Sequence, residues 1–155
     1  MTSDSVLRIV LGIGNPDRGD DAAGRVVAQL VREQAPPGVL VVEHDGEATS
    51  LLARLEGMSA AVIVDACYSG QPAGTVQRFD VNQGALPSVR FGLSTHSFGL
   101  DTAIELARSL EQLPRHCVVY AIEGQSFDAG AGLSPAVAAA VRSVVERVVV
   151  DLADL

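Results

Sequence analysis

The chain has 155 residues, of which 48% are hydrophobic and 19% charged, a composition that excludes intrinsic disorder and predicts one globular domain over residues 1–155. Its eleven basic residues, all arginine, stand against nineteen acidic ones and leave a net charge of −8. The lack of lysine excludes Schiff-base chemistry and a Walker-type phosphate site, and the negative charge argues against nucleic-acid partners. The apolar runs are too short to cross a bilayer and no basic leader precedes one, so we expect a cytoplasmic protein with no membrane partner.

The predicted elements alternate between strands and helices, after a loose polar leader at residues 1–6. Strands are predicted at Leu7–Gly12, Val39–Glu43, Ala60–Asp65, Thr75–Asp80 and Cys117–Ile122. Helices are predicted from Asp20 to the Ala35-Pro36 stop, near Thr49–Glu56, from Leu100 to Pro114, and onward from Ser134. The stretch Val81–His96, rich in Asn, Gly, Pro and Ser, is predicted to be a long loop.

This order predicts an α/β fold, a three-layer α/β/α sandwich around a mostly parallel, twisted five-stranded sheet with one antiparallel strand. The third strand is apolar on both faces up to its last residue, as buried parallel strands are. Only Cys67–Gly74 separates it from the fourth strand. Because a parallel crossover needs about a dozen residues, we expect these two strands to pair as an antiparallel hairpin.

Ligands of open α/β sheets bind outside the carboxyl ends of the strands, which selects a short set of polar residues. Asp20 and Asp21 follow the first strand, Asp65 ends the third, and His96 precedes the third long helix. Each has an ordinary alternative role, as a helix cap, a turn former or an exposed loop residue. Together, two carboxylates and one imidazole at one sheet edge would form an open site for a divalent transition metal.

Other chemistries fit less well. The Gly12-x-Gly14 pair lacks the third glycine of the dinucleotide fingerprint, since Asp17 stands there. Cys67 and Cys117 lie fifty residues apart without a CxxC motif, so neither a disulfide nor a zinc–thiolate site is expected. No cationic residue stands beside Cys67 to lower its pKa, and we interpret it as a packing residue.

Four segments resemble the hydrogenase maturation endopeptidases, which trim the C-terminus of the large subunit of [NiFe] hydrogenases. They are GIGNPDRGDDAAG at Gly12–Gly24, Asp45-Gly46 together with Ile63–Ala66, and Ser94-Thr95-His96. The resemblance covers nearly the whole chain. It implies an enzyme whose metal-binding and catalytic trio falls on Asp21, Asp65 and His96, with supporting roles for Asn15, Asp45 and Gly46.

The resemblance further implies that the nickel is supplied by the precursor of the large subunit rather than held permanently. The hydrolytic step stays open between a metal-bound water and polarisation of the scissile carbonyl. We expect a monomer whose loop Gly84–Phe98 contacts the large subunit through Phe91, Leu93 and Phe98, unless these apolar side chains fold back into the core.

Two alternative functions remain at this point. The Gly12–Pro16 turn is similar to the opening turn of peptidyl-tRNA hydrolase, but the chain offers no basic groove for tRNA. The other alternative is a non-catalytic, Rossmann-like nucleotide-binding module, against which the missing third glycine counts.

Overall fold

The computed structural model describes residues 7–87, 90–91 and 99–155, with Arg90 described by its backbone. Leu93, His96 and Phe98 therefore lie outside the described residues. The strands are β1 (Arg8–Ile13), β2 (Val39–His44), β3 (Ala60–Tyr68), β4 (Val76–Asp80), β5 (Arg90–Phe91) and β6 (His116–Glu123). The helices are α1 (Ala23–Arg32), α2 (Ala48–Leu55), α3 (Leu100–Ser109) and α4 (Pro135–Asp154), with a 3₁₀ turn at Gly19–Ala22 before α1.

Five strands form the main sheet in the order β2-β1-β3-β6-β4. The first four of these are parallel neighbours, and β4 runs antiparallel to β6 at the edge. The predicted mostly parallel five-stranded sheet with one antiparallel strand is confirmed. The two-residue β5, within the predicted long loop, adds an antiparallel pairing to Cys67 and Tyr68 at the end of β3.

The predicted hairpin between the third and fourth strands is wrong. β3 has β1 on one side and β6 on the other, which leaves no place for β4 beside it. The connection instead crosses the end of β6, where Gly74 N–H donates to the Glu123 carbonyl (2.8 Å) and Glu123 N–H to the Thr75 carbonyl (2.9 Å). A short connection excludes a parallel crossover, but it does not require the two strands to be neighbours.

Two apolar layers cover the sheet, which confirms the three-layer sandwich. Val10, Val62 and Val64 pack under α1 and α4. Ile9, Leu11 and Ile63 face the other way and pack under α2 and α3. Because side chains alternate along a strand, Asp65 and Cys67 follow Ile63 on the α2/α3 face.

The third strand extends beyond its predicted end. Asp65 is followed by Ala66, Cys67 and Tyr68 in the same strand, because β6 continues beside it as far as Glu123. Asp65 thus lies inside a strand rather than closing one. Among the helices of the described part, none is long and apolar enough to span a membrane.

Candidate active site at the carboxyl edge of the sheet

Asp65 lies at a break in the sheet. On one side of β3, pairing with β1 stops at Val64, and pairing with β5 starts at Cys67. On the other side β6 pairs with β3 without interruption through Cys67. Since β6 occupies that side, β5 must continue on the side of β1. The break at Asp65 and Ala66 is where the turn that follows β1 approaches β3.

Glycines let this turn come close. A Cβ atom on Gly14, whose φ is +154°, would lie 1.8 Å from the backbone oxygen of Asp21. No other residue fits at such a distance, because the contact is with backbone rather than with a movable side chain. The glycines of the Gly12–Gly24 motif therefore allow close backbone packing, which brings Asp21 to the edge of the sheet where Asp65 lies.

Asp21 is 6% exposed and sits in the 3₁₀ turn. Its Oδ2 atom accepts a hydrogen bond from the backbone N–H of Asn15 at 3.0 Å. The Asn15 side chain is turned to its own loop, where Oδ1 accepts from Asp17 N–H at 2.9 Å. Asn15 thus contacts the site through its backbone.

Asp65 is 3% exposed, and within the described residues its Oδ1 atom has no hydrogen-bond partner. Burial raises the pKa of the Asp65 carboxyl well above its ordinary value, the charge of Asp21 adds to this, and the Ala66 N–H offsets part of it. An ionised carboxylate in such a place is costly unless a positive charge neutralises it. The pair Asp21 and Asp65 is therefore suited to receive a cation.

Asp20, beside Asp21, has a role that the sequence did not reveal. We expected either aspartate to cap the helix that follows, but α1 begins after Ala22 without a side-chain cap. The buried Asp20 carboxylate instead accepts from the N–H groups of Gln125, Ser126 and Ser134. Burial alone would raise the pKa of Asp20, but these N–H donors together hold it below its ordinary value.

Another buried carboxylate lies at the same edge, on β6. Glu123 accepts from Ser69 N–H at 2.9 Å, from the Ser69 hydroxyl, and from the Cys67 thiol at 3.6 Å. Burial, followed by the charge of Glu123, raises the pKa of Cys67 to about 12. Burial and a raised pKa both disfavour a nucleophilic thiolate, as expected of a packing residue.

The other predicted supporting residues lie in the turn between β2 and α2. The Asp45 side chain is 76% exposed, and its Oδ1 atom accepts from Glu47 N–H at 3.0 Å. Gly46 has a φ of +95°, and its N–H donates to Nδ1 of His44 at 2.9 Å. Both shape this turn through local hydrogen bonds.

The structure therefore brings Asp21 and Asp65 close enough for the charge of one to act on the other, and His96 lies outside the described residues. Over residues 7–87, 90–91 and 99–155, no group of three His, Cys, Asp or Glu side chains is arranged to hold a metal ion. Phe91 is partly buried and packs, with Leu86, against the core under α2 and α3. Phe91 thus packs on the core with part of its surface and keeps the rest exposed.

A cavity of about 390 Å³ opens elsewhere, along α3. Its lining includes Leu86, Asp101, Glu105 and Leu106, and neither Asp21 nor Asp65 belongs to it. This cavity and the buried carboxylates are thus separate features. Burial and charge, rather than cavity size, identify the candidate site.

Fold and site together define an α/β protein with a buried pair of carboxylates at the carboxyl edge of a parallel sheet. The family described as HycI, hydrogenase maturation protease, matches residues 24–151, and the chain belongs to this family. Its members are peptidases, so the expected enzyme class is confirmed over both alternatives. No curated protein sequence matches the chain significantly.

Solved structures of named maturation proteases share the fold. The Escherichia coli hydrogenase maturating endopeptidase HybD is 22% identical over 95% of this chain and 92% of its own, with a TM-score of 0.78. The [NiFe] hydrogenase maturation protease HycI of Thermococcus kodakarensis KOD1 is 24% identical over 97% and 94%, with a TM-score of 0.73. HybD of Thermococcus kodakarensis is 26% identical over 91% and 95%, with a TM-score of 0.69.

Proposed function

We propose that this peptidase removes a short C-terminal peptide from the nickel-loaded large-subunit precursor of a [NiFe] hydrogenase, and that Asp21, Asp65 and His96 recognise the nickel. Family membership supplies the class of reaction. One observation supports the binding of a metal ion at this place. The buried Asp65 carboxyl has an oxygen without a hydrogen-bond partner among the described residues, and the charge of Asp21 acts on it.

The two carboxylates would make binding depend on nickel loading. Without a cation, burial and the charge of Asp21 both oppose ionisation of Asp65, so a second negative charge is repelled at this place. A precursor that carries nickel relieves this repulsion, and a nickel-free precursor does not. Oxygen and imidazole ligands suit a borderline divalent ion such as nickel. A histidine is therefore a suitable third ligand beside the two carboxylates.

Nickel belongs to the substrate in this proposal, and the protein's residues bind and orient it. The Asn15 N–H fixes one oxygen of Asp21. At the break between β1 and β5, no described strand pairs with Asp65 on that side, and the nickel centre would approach Asp65 there. The enzyme is expected to act as a cytoplasmic monomer and to hold no metal of its own, which size-exclusion chromatography and metal analysis of the purified protein would test.

A contact with the large subunit is proposed for Phe91, Leu93 and Phe98. Phe91 is only partly buried on the core, and it lies in β5, directly beside the break in the sheet. An apolar segment at that place suits a protein partner. Hydrogen exchange of the free enzyme and of its complex would test the contact, and unchanged exchange over residues 84–98 would contradict it.

The experiment is a processing assay with nickel-loaded precursor, read by the mass of the released peptide. Asp21→Asn, Asp65→Asn and His96→Ala are each expected to lower kcat/KM by at least about a hundredfold while the circular dichroism spectrum stays that of the wild type. Asp128→Asn is the matched control, since Asp128 is exposed and its carboxylate contacts the Ser126 hydroxyl at 3.1 Å. Full processing by any one of the three variants would contradict the role of that residue.

A further inference from the structure

A buried carboxylate ties the turn that carries Asp21 to the loop between β6 and α4. Oδ2 of Asp20 accepts from Gln125 N–H at 2.8 Å, Ser126 N–H at 3.0 Å and the Ser134 hydroxyl at 2.9 Å. Oδ1 accepts from Ser134 N–H at 2.7 Å. Asp20 is fully buried, so these four bonds are made without competition from water. We call Asp20 and these three partners the clasp.

Backbone contacts extend the clasp. Asp20 N–H donates to the Ser126 carbonyl at 2.8 Å, and Gly130 N–H donates to the Asp17 carbonyl at 2.8 Å. A Cβ atom on Gly19 would lie 2.6 Å from the Ser126 carbonyl oxygen. The turn at residues 17–20 and the loop at residues 124–134 therefore pack as one unit.

Asp20 and Asp21 face different surroundings, although they are adjacent. A 3₁₀ turn has three residues per turn, which places neighbouring side chains about 120° apart. Asp20 accordingly points to the loop, and Asp21 lies where its charge acts on Asp65. Since α1 has no side-chain cap at its start, the clasp is the anchor that holds this turn from the outside.

We propose that Asp20 is a positioning residue for the processing reaction and acts through Asp21. The proposal rests on the proposed function, in which Asp21 contacts the nickel of the precursor. The clasp fixes the backbone of the turn, and the Asn15 N–H then sets the orientation of the Asp21 carboxylate. A displacement of about 1 Å at a reacting centre can lower a rate by about a hundredfold, so the anchor matters for rate as well as for stability.

The test variant is Asp20→Asn. An asparagine keeps one oxygen, but its NH₂ group must face at least one of the N–H donors that now point to two carboxylate oxygens. The expected kcat/KM for nickel-loaded precursor, corrected for the folded fraction, is between about tenfold and a hundredfold below that of the wild type. Asp128→Asn changes a carboxylate in the same loop that contacts the Ser126 hydroxyl but makes none of the bonds to Asp20, and it is expected to stay within about twofold.

A binding experiment separates positioning from a general effect on the loop. The affinity of nickel-loaded precursor is measured for Asp21→Asn and for the double variant Asp20→Asn/Asp21→Asn. If Asp20 acts through Asp21, the second substitution causes no further loss of affinity once Asp21 has already been changed. A further loss of affinity in the double variant would overturn the proposal, because it would place the effect of Asp20 in the loop itself.

Ser134→Ala is the second variant, in case Asp20→Asn fails to fold. It removes one of the four bonds to Asp20 and leaves the three backbone donors in place. A loss of about threefold in kcat/KM is expected, with cooperative unfolding retained. Wild-type kcat/KM in Ser134→Ala, or in a folded Asp20→Asn, would overturn the proposal.

Assays of the wild-type enzyme distinguish the positioning role of Asp20 from the recognition of nickel on which it rests. If the wild type processes nickel-free and nickel-loaded precursor equally, the recognition of nickel fails, whatever the Asp20 variants do. If the wild type requires nickel and Asp20→Asn matches it, only the positioning role fails.

Discussion

The backbone of Gly24 in α1 passes so close to Val64 in β3 that a Cβ atom on Gly24 would lie 2.4 Å from the Val64 carbonyl oxygen. The same atom would lie 2.3 Å from the carbonyl oxygen of Ile13. Val64 directly precedes Asp65, and Gly24 follows Asp21 by three residues. This contact between backbones therefore limits how closely the segment that carries Asp21 approaches the strand that carries Asp65.

Gly24→Ala tests this relationship. Neither carbonyl can move without disturbing a paired strand, so we expect the substitution to lower the free energy of unfolding by about 1–3 kcal/mol and to lower kcat/KM as well. Gly132→Ala is the matched control, because nothing lies within 4 Å of a Cβ atom there. Denaturant unfolding measures both variants, and a Gly24→Ala protein as stable and active as the wild type would contradict the close packing.

Asp65→Asn is expected to separate stability from activity. The substitution removes a buried carboxyl whose ionisation burial and the charge of Asp21 both disfavour, so the free energy of unfolding should be unchanged or higher by up to about 2 kcal/mol. Processing should be lost. Urea unfolding at pH 7 measures the first effect, and a stability loss beyond about 2 kcal/mol would instead make Asp65 a structural residue.

Much of the fold follows from sequence patterns alone. The apolar run before Asp65 required neighbours on both sides, and the Ser134-Pro135 pair marked the start of α4. The order of β4 and β6 did not follow, because connection length limits crossovers but does not specify which strands are adjacent. The alternation of polar and apolar residues in Val76–Asp80 fits the edge position that β4 occupies. This alternation is the sequence signal that could have placed β4 at the edge of the sheet.

The candidate site was only partly predictable for a different reason. Asp65 could be selected because a carboxylate beside five apolar residues needs a partner. Asp20 could not be told apart from Asp21, since their difference depends on the loop at residues 124–134, more than a hundred residues further along the chain. Long-range hydrogen bonds of this kind have no local sequence signature.

The buried imidazole of His44 is expected to make the protein less stable in mild acid. Its ring is 7% exposed, Nδ1 accepts from the Gly46 N–H, and Nε2 lies 2.8 Å from the Ser50 hydroxyl. The ring is therefore neutral, with its proton on Nε2. Burial lowers the pKa of His44, and Arg54 and Arg25 add to this.

Because the folded pKa lies below the unfolded value of about 6.5, the unfolded chain takes up the proton first as the pH falls. The contribution of neutral His44 to the free energy of unfolding is complete above about pH 6.5 and is lost as the pH falls below that value. The charges of Asp45 and Glu47 oppose the lowering of the His44 pKa but do not cancel it. The slope for one proton is at most about 1.4 kcal/mol per pH unit. Unfolding of wild type and His44→Gln between pH 8 and 5 would show it, and a parallel pH dependence of the two would contradict the assignment.

Both thiols are expected to resist modification in the folded protein. Cys67 and Cys117 are buried, and burial is the first cause that raises the pKa of each to about 12. Labelling with a disulfide reagent at pH 8 should therefore be slow in buffer and complete in denaturant. Fast labelling of Cys67 in the native state would contradict its role as a packing residue and reopen the question of a nucleophile.

In the proposed function, the Asp21 and Asp65 pair recognises nickel carried by the precursor. The most direct measurement compares processing of nickel-loaded and nickel-free large-subunit precursor from one source, with the wild-type enzyme and with Asp21→Asn. The account predicts release of a small C-terminal peptide from the loaded precursor by the wild type, with at least about a hundredfold less from the other three combinations. Equal cleavage of the nickel-free precursor would contradict the recognition of nickel, while the assignment to the peptidase family would stand.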